Sequence, residues 1–311
     1  MSSNPNDAPA QLILVGLGKM GANMARRLAR AGVHVHGVDP QVGAADPLAR
    51  ESGVTLHATL AHAVLAVPAP GTVWLMLPAG AVTEATLAEL QTRLARGDLV
   101  IDGGNANYLD TQARAARLGE RGIDFADCGV SGGVWGLDNG YCLMFGCSPA
   151  VAQRLRPYVL ALAPGSDRGW VHAGPVGAGH YAKMIHNGIV YAMMQALAEG
   201  FALLKNPAGM TIDIAAVAQA WQHGSVVRSW LLDLTADALR DPAALEAIEP
   251  FVADSGEGRW TIDESIRQGT PAPVIALSVM ARFASQGRAD FGNKLLALMR
   301  KGFGGHAVKS K

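Results

Sequence analysis

The sequence predicts an α/β N-terminal domain, built on a doubly wound parallel sheet, followed by an all-α C-terminal domain. Three observations predict it. A continuous apolar run, Leu12 to Val15, ends in a glycine-rich turn, as a strand buried on both faces does. Strand-length apolar runs then alternate with helical patterns as far as about residue 178. From Gly179 onward nearly every segment carries helical periodicity. At 311 residues the chain is long enough for two domains and a sizeable core.

The elements follow in order. Residues 1–10, MSSNPNDAPA, are polar, lack the apolar stretch of a signal peptide and read as a disordered tail. After the strand at Leu12–Val15, Lys19 to Ala31 spaces Met20, Met24, Ala25 and Leu28 as a helix does, and Val33–Val38 is a second strand. Ala58 to Val82 carries no charge, but Pro68, Pro70, Gly71 and Pro78 interrupt it. It is therefore read as a core strand with flanking turns and not as a membrane span, with the strand itself at Val73–Leu77. Strands follow at Leu99–Asp102 and Asp124–Asp127, with helical patterns at Val82–Ala95 and Thr111–Arg121. Short strands near Tyr141–Phe145 and Trp170–Ala173 extend the sheet. Gly179–Leu204 is long for a single helix and connects the domains; later breaks fall at Pro207, Pro250, Gly256–Gly258 and Pro271–Pro273. The expected boundaries are 11–178 for the first domain and 179–311 for the second.

Composition narrows the partners. Half the residues are apolar and 17% are charged, with 26 cationic and 26 acidic side chains. That balance provides no net field for nucleic acid or an anionic membrane, so anion binding has to come from local clusters. The cysteines Cys128, Cys142 and Cys147 lack metal-ligand spacing. No metal is expected, and the simplest reading is a reduced, cytoplasmic protein.

Gly16-Leu17-Gly18-Lys19-Met20-Gly21 fits G-x-G-x-x-G between the first strand and the first helix, the context in which that motif is a dinucleotide fingerprint. The first glycine makes the tight turn, the second admits the pyrophosphate, and the third lets helix and strand pack closely. The domain is thus of Rossmann type. Asp39 ends the second strand, where a carboxylate accepts hydrogen bonds from ribose hydroxyls and repels a 2′-phosphate. Pro40 and Gln41 follow it and supply no arginine, so NAD is favoured over NADP. The alternatives are a plain strand–helix turn and an Asp39 that only caps a turn.

Lys183, His186 and Asn187 stand at i, i+3 and i+4 and share one helix face, among Met184, Ile185, Ile189, Met193 and Met194. A lysine buried there would have its pKa lowered toward that of a useful base, whereas spacing alone equally allows a solvated lysine.

Taken with Asp102-Gly103-Gly104-Asn105 and Ser131-Gly132-Gly133, the glycine turn and this helix resemble 6-phosphogluconate dehydrogenase from about residue 11 to His306, in its short, usually NAD-linked form. The resemblance implies that Lys183 removes the 3-hydroxyl proton during hydride transfer and later protonates the developing oxyanion. It implies that Leu77 and Asn105 join the glycine turn at the cofactor. Asn105, Ser131, Gly132, Gly133, His186 and Asn187 would hold the carboxylate and hydroxyls of a small phosphorylated sugar acid. Tyr191, Arg259, Thr261 and Arg282 would hold its phosphate, with arginine at 259 where the longer form has lysine. Arg300 and His306 would reach into a neighbour's site, which implies a homodimer or homotetramer. Arginine suits such an anion site because its fork binds phosphate bidentately.

One position departs from the family pattern. The glutamate that protonates the enediol carbon is replaced by Val190, which cannot donate a proton. Losing a positioned general acid costs roughly 10²–10⁴-fold in rate. Glu199 is no substitute, since nine helical residues place it about 13 Å farther along the axis. The expected reaction is therefore oxidative decarboxylation of 6-phosphogluconate, impaired at the protonation step. Two readings stand beside it: a β-hydroxyacid dehydrogenase whose chemistry ends at oxidation, and a non-catalytic ligand-binding homologue.

Overall fold

The computed structural model describes residues 10–41, 43, 46–304, 307 and 309. The tail read over residues 1–10 therefore lies, apart from Ala10, outside the described residues. The chain divides into two compact units, Met1–Met184 and Ile185–Lys311.

The first unit holds β1 (Gln11–Val15), α1 (Lys19–Arg30), β2 (His34–Val38), β3 (Val54–His57), α2 (Leu60–Ala66), β4 (Thr72–Leu75), α3 (Ala81–Arg93) and β5 (Leu99–Asp102). It continues through α4 (Tyr108–Gly119), β6 (Asp124–Ser131), α5 (Gly136–Asn139), β7 (Cys142–Gly146), α6 (Pro149–Leu162) and β8 (Trp170–Gly174). These strands make one sheet in the order β3-β2-β1-β4-β5-β6-β7-β8.

Alternation along each central strand explains why both faces are covered. Leu12, Leu14, Trp74, Leu99 and Ile101 share one apolar cluster with Met24 and Leu28 of α1 and with Leu155 and Val159 of α6. Ile13, Val15, Val73, Leu75 and Val100 share the other with Leu60 of α2, Leu87 and Leu90 of α3, and Leu118 of α4. A two-residue period with apolar side chains on both faces produces the continuous apolar runs seen in the sequence.

Three expectations are corrected. The sheet is not wholly parallel, because β6 and β7 pair antiparallel, with Asp127 opposite Gly146 and Ser131 opposite Cys142. The connection from Ser131 to Cys142 is too short for a crossover, which needs a dozen or more residues. The uncharged stretch 58–82 is a helix followed by a strand: Thr59 caps α2 by accepting from the His62 N–H at 3.2 Å, and β4 ends at Leu75, leaving Leu77 beyond it. The strand starting at Asp124 runs on to Ser131 instead of stopping at Asp127.

α7 (Ala178–Lys205) begins in the first unit and runs into the second. The second unit contains α8 (Ile214–Trp221), α9 (Trp230–Leu239), α10 (Pro242–Glu246), α11 (Glu257–Gln268), α12 (Pro273–Ser285) and α13 (Asp290–Gly304). Phe201, Ala218, Leu232 and Ala236 form its small core. Among the described residues no helix is long and apolar enough to cross a membrane.

One feature of the sheet responds to acid. His36 on β2 is buried, with Nδ1 2.9 Å from His57 Nε2 and Nε2 3.3 Å from Gln11 Oε1. Burial, then the neighbouring His34 and His57, push its pKa from 6.5 down to about 4, and burial lowers His57 as well. Below an ordinary histidine pKa the unfolded chain takes up protons that the folded chain refuses, so folding stability falls as the pH drops from about 6.5 toward about 4. The urea midpoint should therefore decrease between about pH 7 and about pH 5, and His36→Gln should reduce that decrease. An equal decrease in both proteins would remove His36 as its source.

Candidate active site

The strand order reverses between β1 and β4, and the carboxyl ends of strands at such a reversal border a crevice. Glycines line it because backbone meets backbone there. Gly16 has φ +92°, its N–H donates to Val38 O at 2.9 Å, and a Cβ on it would stand 2.5 Å from the Met76 carbonyl oxygen. A Cβ on Gly21 would run into the Gly16 carbonyl. Gly103 donates to Leu75 O at 2.8 Å, and a Cβ on Gly104 would lie 2.5 Å from Leu77 O.

Gly18 differs, since a Cβ there would meet nothing within 4 Å. It opens α1 with no side-chain cap, so the first N–H groups of that helix are left without a capping side chain among the described residues. That cradle fits a pyrophosphate. Around it Leu17 is buried, Met20 and Leu77 are half-buried, and Lys19 and Asn105 are exposed.

Asp39, half-buried at the end of β2, has both carboxylate oxygens engaged. Oδ2 accepts from the Leu17 N–H at 2.8 Å and Oδ1 from the Gln41 N–H at 2.8 Å. It ties the glycine turn to β2 and also closes its own turn. Asp102, at the end of β5, shapes the neighbouring turn. It accepts from Gly104 N–H at 3.2 Å and from Arg114 at 3.0 Å, and Arg114 also reaches Glu84 at 2.7 Å.

On β6, Asp127 is fully buried. Its Oδ1 accepts from the Gly177 N–H at 2.6 Å and its Oδ2 from the His180 N–H at 2.7 Å, which caps α7. Burial raises its pKa, partly offset by the His180 imidazole and the backbone N–H groups. His180 is itself 1% exposed, with Nδ1 2.7 Å from Thr111 Oγ1. The Thr111 hydroxyl also lies 3.1 Å from Asn107 O, to which it can donate, and the buried His180 Nε2 has no partner among the described residues. Lys183, on the next turn of α7, is 7% exposed. Ser131 ends β6, and Gly132 (φ +132°) and Gly133 (φ +54°) occupy backbone conformations that favour glycine.

In the second unit, His186 Nδ1 lies 3.0 Å from Asn187 Oδ1, a bond that requires the proton on Nδ1. Tyr191 is buried, and its hydroxyl lies 3.0 Å from Ser255 Oγ, which in turn donates to Glu257 Oε2 at 2.5 Å. The Arg282 guanidinium stacks 3.5 Å over the Tyr191 ring and donates to Ala253 O at 2.7 Å. Arg259 pairs with Asp254 at 2.8 Å. Buried Thr261 donates to Glu257 O at 2.8 Å, and a Cβ on Gly188 would stand 2.8 Å from its methyl. Tyr191, Arg259, Thr261 and Arg282 are thereby gathered around the start of α11. Arg300 is exposed on α13, and His306 lies outside the described residues. Val190 is half-buried.

Sequence reasoning missed Asp127, the Thr111–His180 pair and the Ser255–Glu257 pair. A signal existed for the first: residues 127, 129 and 131 recur at the two-residue period of one strand face.

A doubly wound domain with an uncapped glycine turn at its switch point, followed by a helical unit, defines an NAD(P)-binding dehydrogenase. Residues 11–171 match the family described as the NAD binding domain of 6-phosphogluconate dehydrogenase, and residues 179–306 match that described as the 6-phosphogluconate dehydrogenase C-terminal domain. The chain belongs to the 6-phosphogluconate dehydrogenase family. A Haloferax volcanii protein named 6-phosphogluconate dehydrogenase, NAD(+)-dependent, decarboxylating, is 37% identical over 97% of this chain and 99% of its own length. Plasmodium falciparum 6-phosphogluconate dehydrogenase, solved with NADP+ and with 6-phosphogluconate, shares the fold at a TM-score of 0.82 and 22% identity. The match covers 97% of this chain and 66% of that longer one. Mycobacterium tuberculosis 3-hydroxyisobutyrate dehydrogenase shares the fold at a TM-score of 0.71 and 24% identity, over 91% of this chain and 94% of that one.

The Asp102–Arg114 pair below the crevice yields a stability prediction. Both side chains are nearly inaccessible, at 2% and 3% exposed, so removing one strands the other's charge. Arg114→Ala should destabilise the protein by about 3–5 kcal/mol in a denaturant titration. A change below about 1 kcal/mol would show that water replaces the guanidinium.

Proposed function

We propose that this chain oxidises 6-phosphogluconate with NAD and releases carbon dioxide to give ribulose 5-phosphate. The observation that carries the proposal is Lys183, buried on a helix capped by Asp127, in a chain of this family. The dinucleotide supplies the hydride acceptor when bound. Lys183 takes the proton from the substrate 3-hydroxyl and returns one to the oxyanion that develops as the carboxylate leaves. Asn105, Ser131, Gly132, Gly133, His186 and Asn187 hold the carboxylate and hydroxyls. Tyr191, Arg259, Thr261 and Arg282 hold the phosphate, with Arg300 and His306 contributed by a second copy in a homodimer or homotetramer. The exposed apolar side chains of α13, from Phe291 (79% exposed) to Leu298 and Met299, support that association, because such stripes mark contact surfaces. Three free cysteines fit a cytoplasmic enzyme.

The preference for NAD rests on Asp39 and on the lack of any lysine or arginine in residues 40–49. Asp39→Ala should lower the ratio of kcat/KM for NAD to that for NADP. An unchanged ratio would leave Asp39 as the turn constraint that its bonds to Leu17 and Gln41 also make it.

Val190 favours a second reading, in which the reaction ends at the keto acid. The test is NADH formation from 6-phosphogluconate with carbon dioxide and ribulose 5-phosphate measured in the same vessel. Equal amounts of all three support the full reaction. NADH without carbon dioxide supports the second reading. If all three form slowly, Val190→Glu should raise turnover by roughly 10²–10⁴-fold, the worth of a positioned acid; if neither NADH nor carbon dioxide forms, the substrate is a different one.

A further inference from the structure

We infer that Gly129 is a positioning residue for Lys183: the bare backbone at Gly129, beside the Asp127 cap on the same face of β6, is the seat that sets where the lysine amine stands. The inference rests on the reading of Lys183 as the base.

The strand's period places Asp127, Gly129 and Ser131 on one face. Asp127 holds the first turn of α7 through its bonds to Gly177 and His180. Close packing follows at two glycines. A Cβ on Gly179 would run into Met144 O and stand 2.8 Å from Asp127 Oδ2, so the helix lies directly on β6 and β7. A Cβ on Gly129 would run into Lys183 Cβ, stand 2.9 Å from Lys183 Cγ and lie 3.1 Å from Gly179 O.

The identity of the first obstacle matters. A clash with the end of a lysine is relieved by rotating it away, but Cβ is placed by the backbone of α7 and no rotamer moves it. A methyl at 129 therefore has to lift the helix, and the Asp127 bonds and the Gly179 contact oppose that. The lysine stem is displaced by an amount on the order of an ångström, enough to cost about 100-fold in a positioned reaction.

The labelling arm of the test needs no assumed substrate. The chain has seven lysines, so competitive acetylation read by mass spectrometry reports each one separately. In Gly129→Ala, Lys183 should label about fivefold faster relative to exposed Lys205, as a stem driven from a packed seat becomes accessible. Asp127→Asn keeps the shape but gives one of the two N–H donors an amide hydrogen to face, and should move Lys183 the same way. It also carries the test should Gly129→Ala not fold. NADH binding, measured by fluorescence, should stay within about twofold in the folded variants, while kcat falls on the order of 100-fold. Unchanged Lys183 labelling in the folded variants overturns the inference. Lys183→Ala, assayed in parallel, separates the two ideas. If it turns over normally while Gly129→Ala labels faster, the seat exists but does not position a base, and the inference fails as a statement about catalysis.

Discussion

The structure turns on one buried carboxylate. Asp127 has no exposure to solvent, and an isolated carboxylate in such a place would cost several kcal/mol. Two short backbone N–H bonds offset that cost, at the end of a 28-residue helix where the positive end of the helix dipole also favours negative charge. The arrangement fixes a long lever at its base. Lys183 follows within two turns and inherits its position from the cap. Cys128, next along β6 and fully buried, is a packing residue whose thiol is pushed well above its usual range, first by burial and then by the Asp127 charge.

The crevice obeys a different constraint, because backbone has to pass backbone where β1, β4 and β5 end. Gly16, Gly21, Gly103 and Gly104 are required by neighbours already in the fold, whereas Gly18 is not. Its free space is the room for a ligand, and the uncapped N–H groups of α1 supply the attraction. Asp39 belongs to both accounts. Its two oxygens brace the turn, yet each carboxylate oxygen has more than one acceptor site, so bracing and ribose binding do not exclude each other.

Much of this was legible in the sequence, because the strands buried on both faces and the glycine turn have strong local signatures. The segment from Ala58 to Val82 misled because an uncharged run of alanine, leucine and valine suits a helix as well as a strand, and the decisive signal was one capping threonine at 59. β3 is four residues long and half exposed, too short to show a period. Asp127 escaped notice because its partners are backbone N–H groups fifty residues away, which no side-chain pattern encodes. The buried Glu257 was missed for a similar reason: within DSGEGRWT it reads as a solvated charge.

That glutamate changes how the proposed phosphate subsite has to work. The cations there are not waiting bare. Arg259 is paired with Asp254, Arg282 stacks on the Tyr191 ring and donates one N–H to the Ala253 carbonyl, and the hydroxyls of Tyr191 and Thr261 are bonded within the protein. Each guanidinium carries five N–H donors, so these contacts leave donors over for an anion, which would settle near Asp254 and Glu257. A phosphate bound there would be gripped bidentately by guanidinium forks that are already held in place. On the proposed reading, Asp254 and the Tyr191 ring preorganise the two arginines, so less side-chain entropy would be lost when a phosphorylated sugar acid binds.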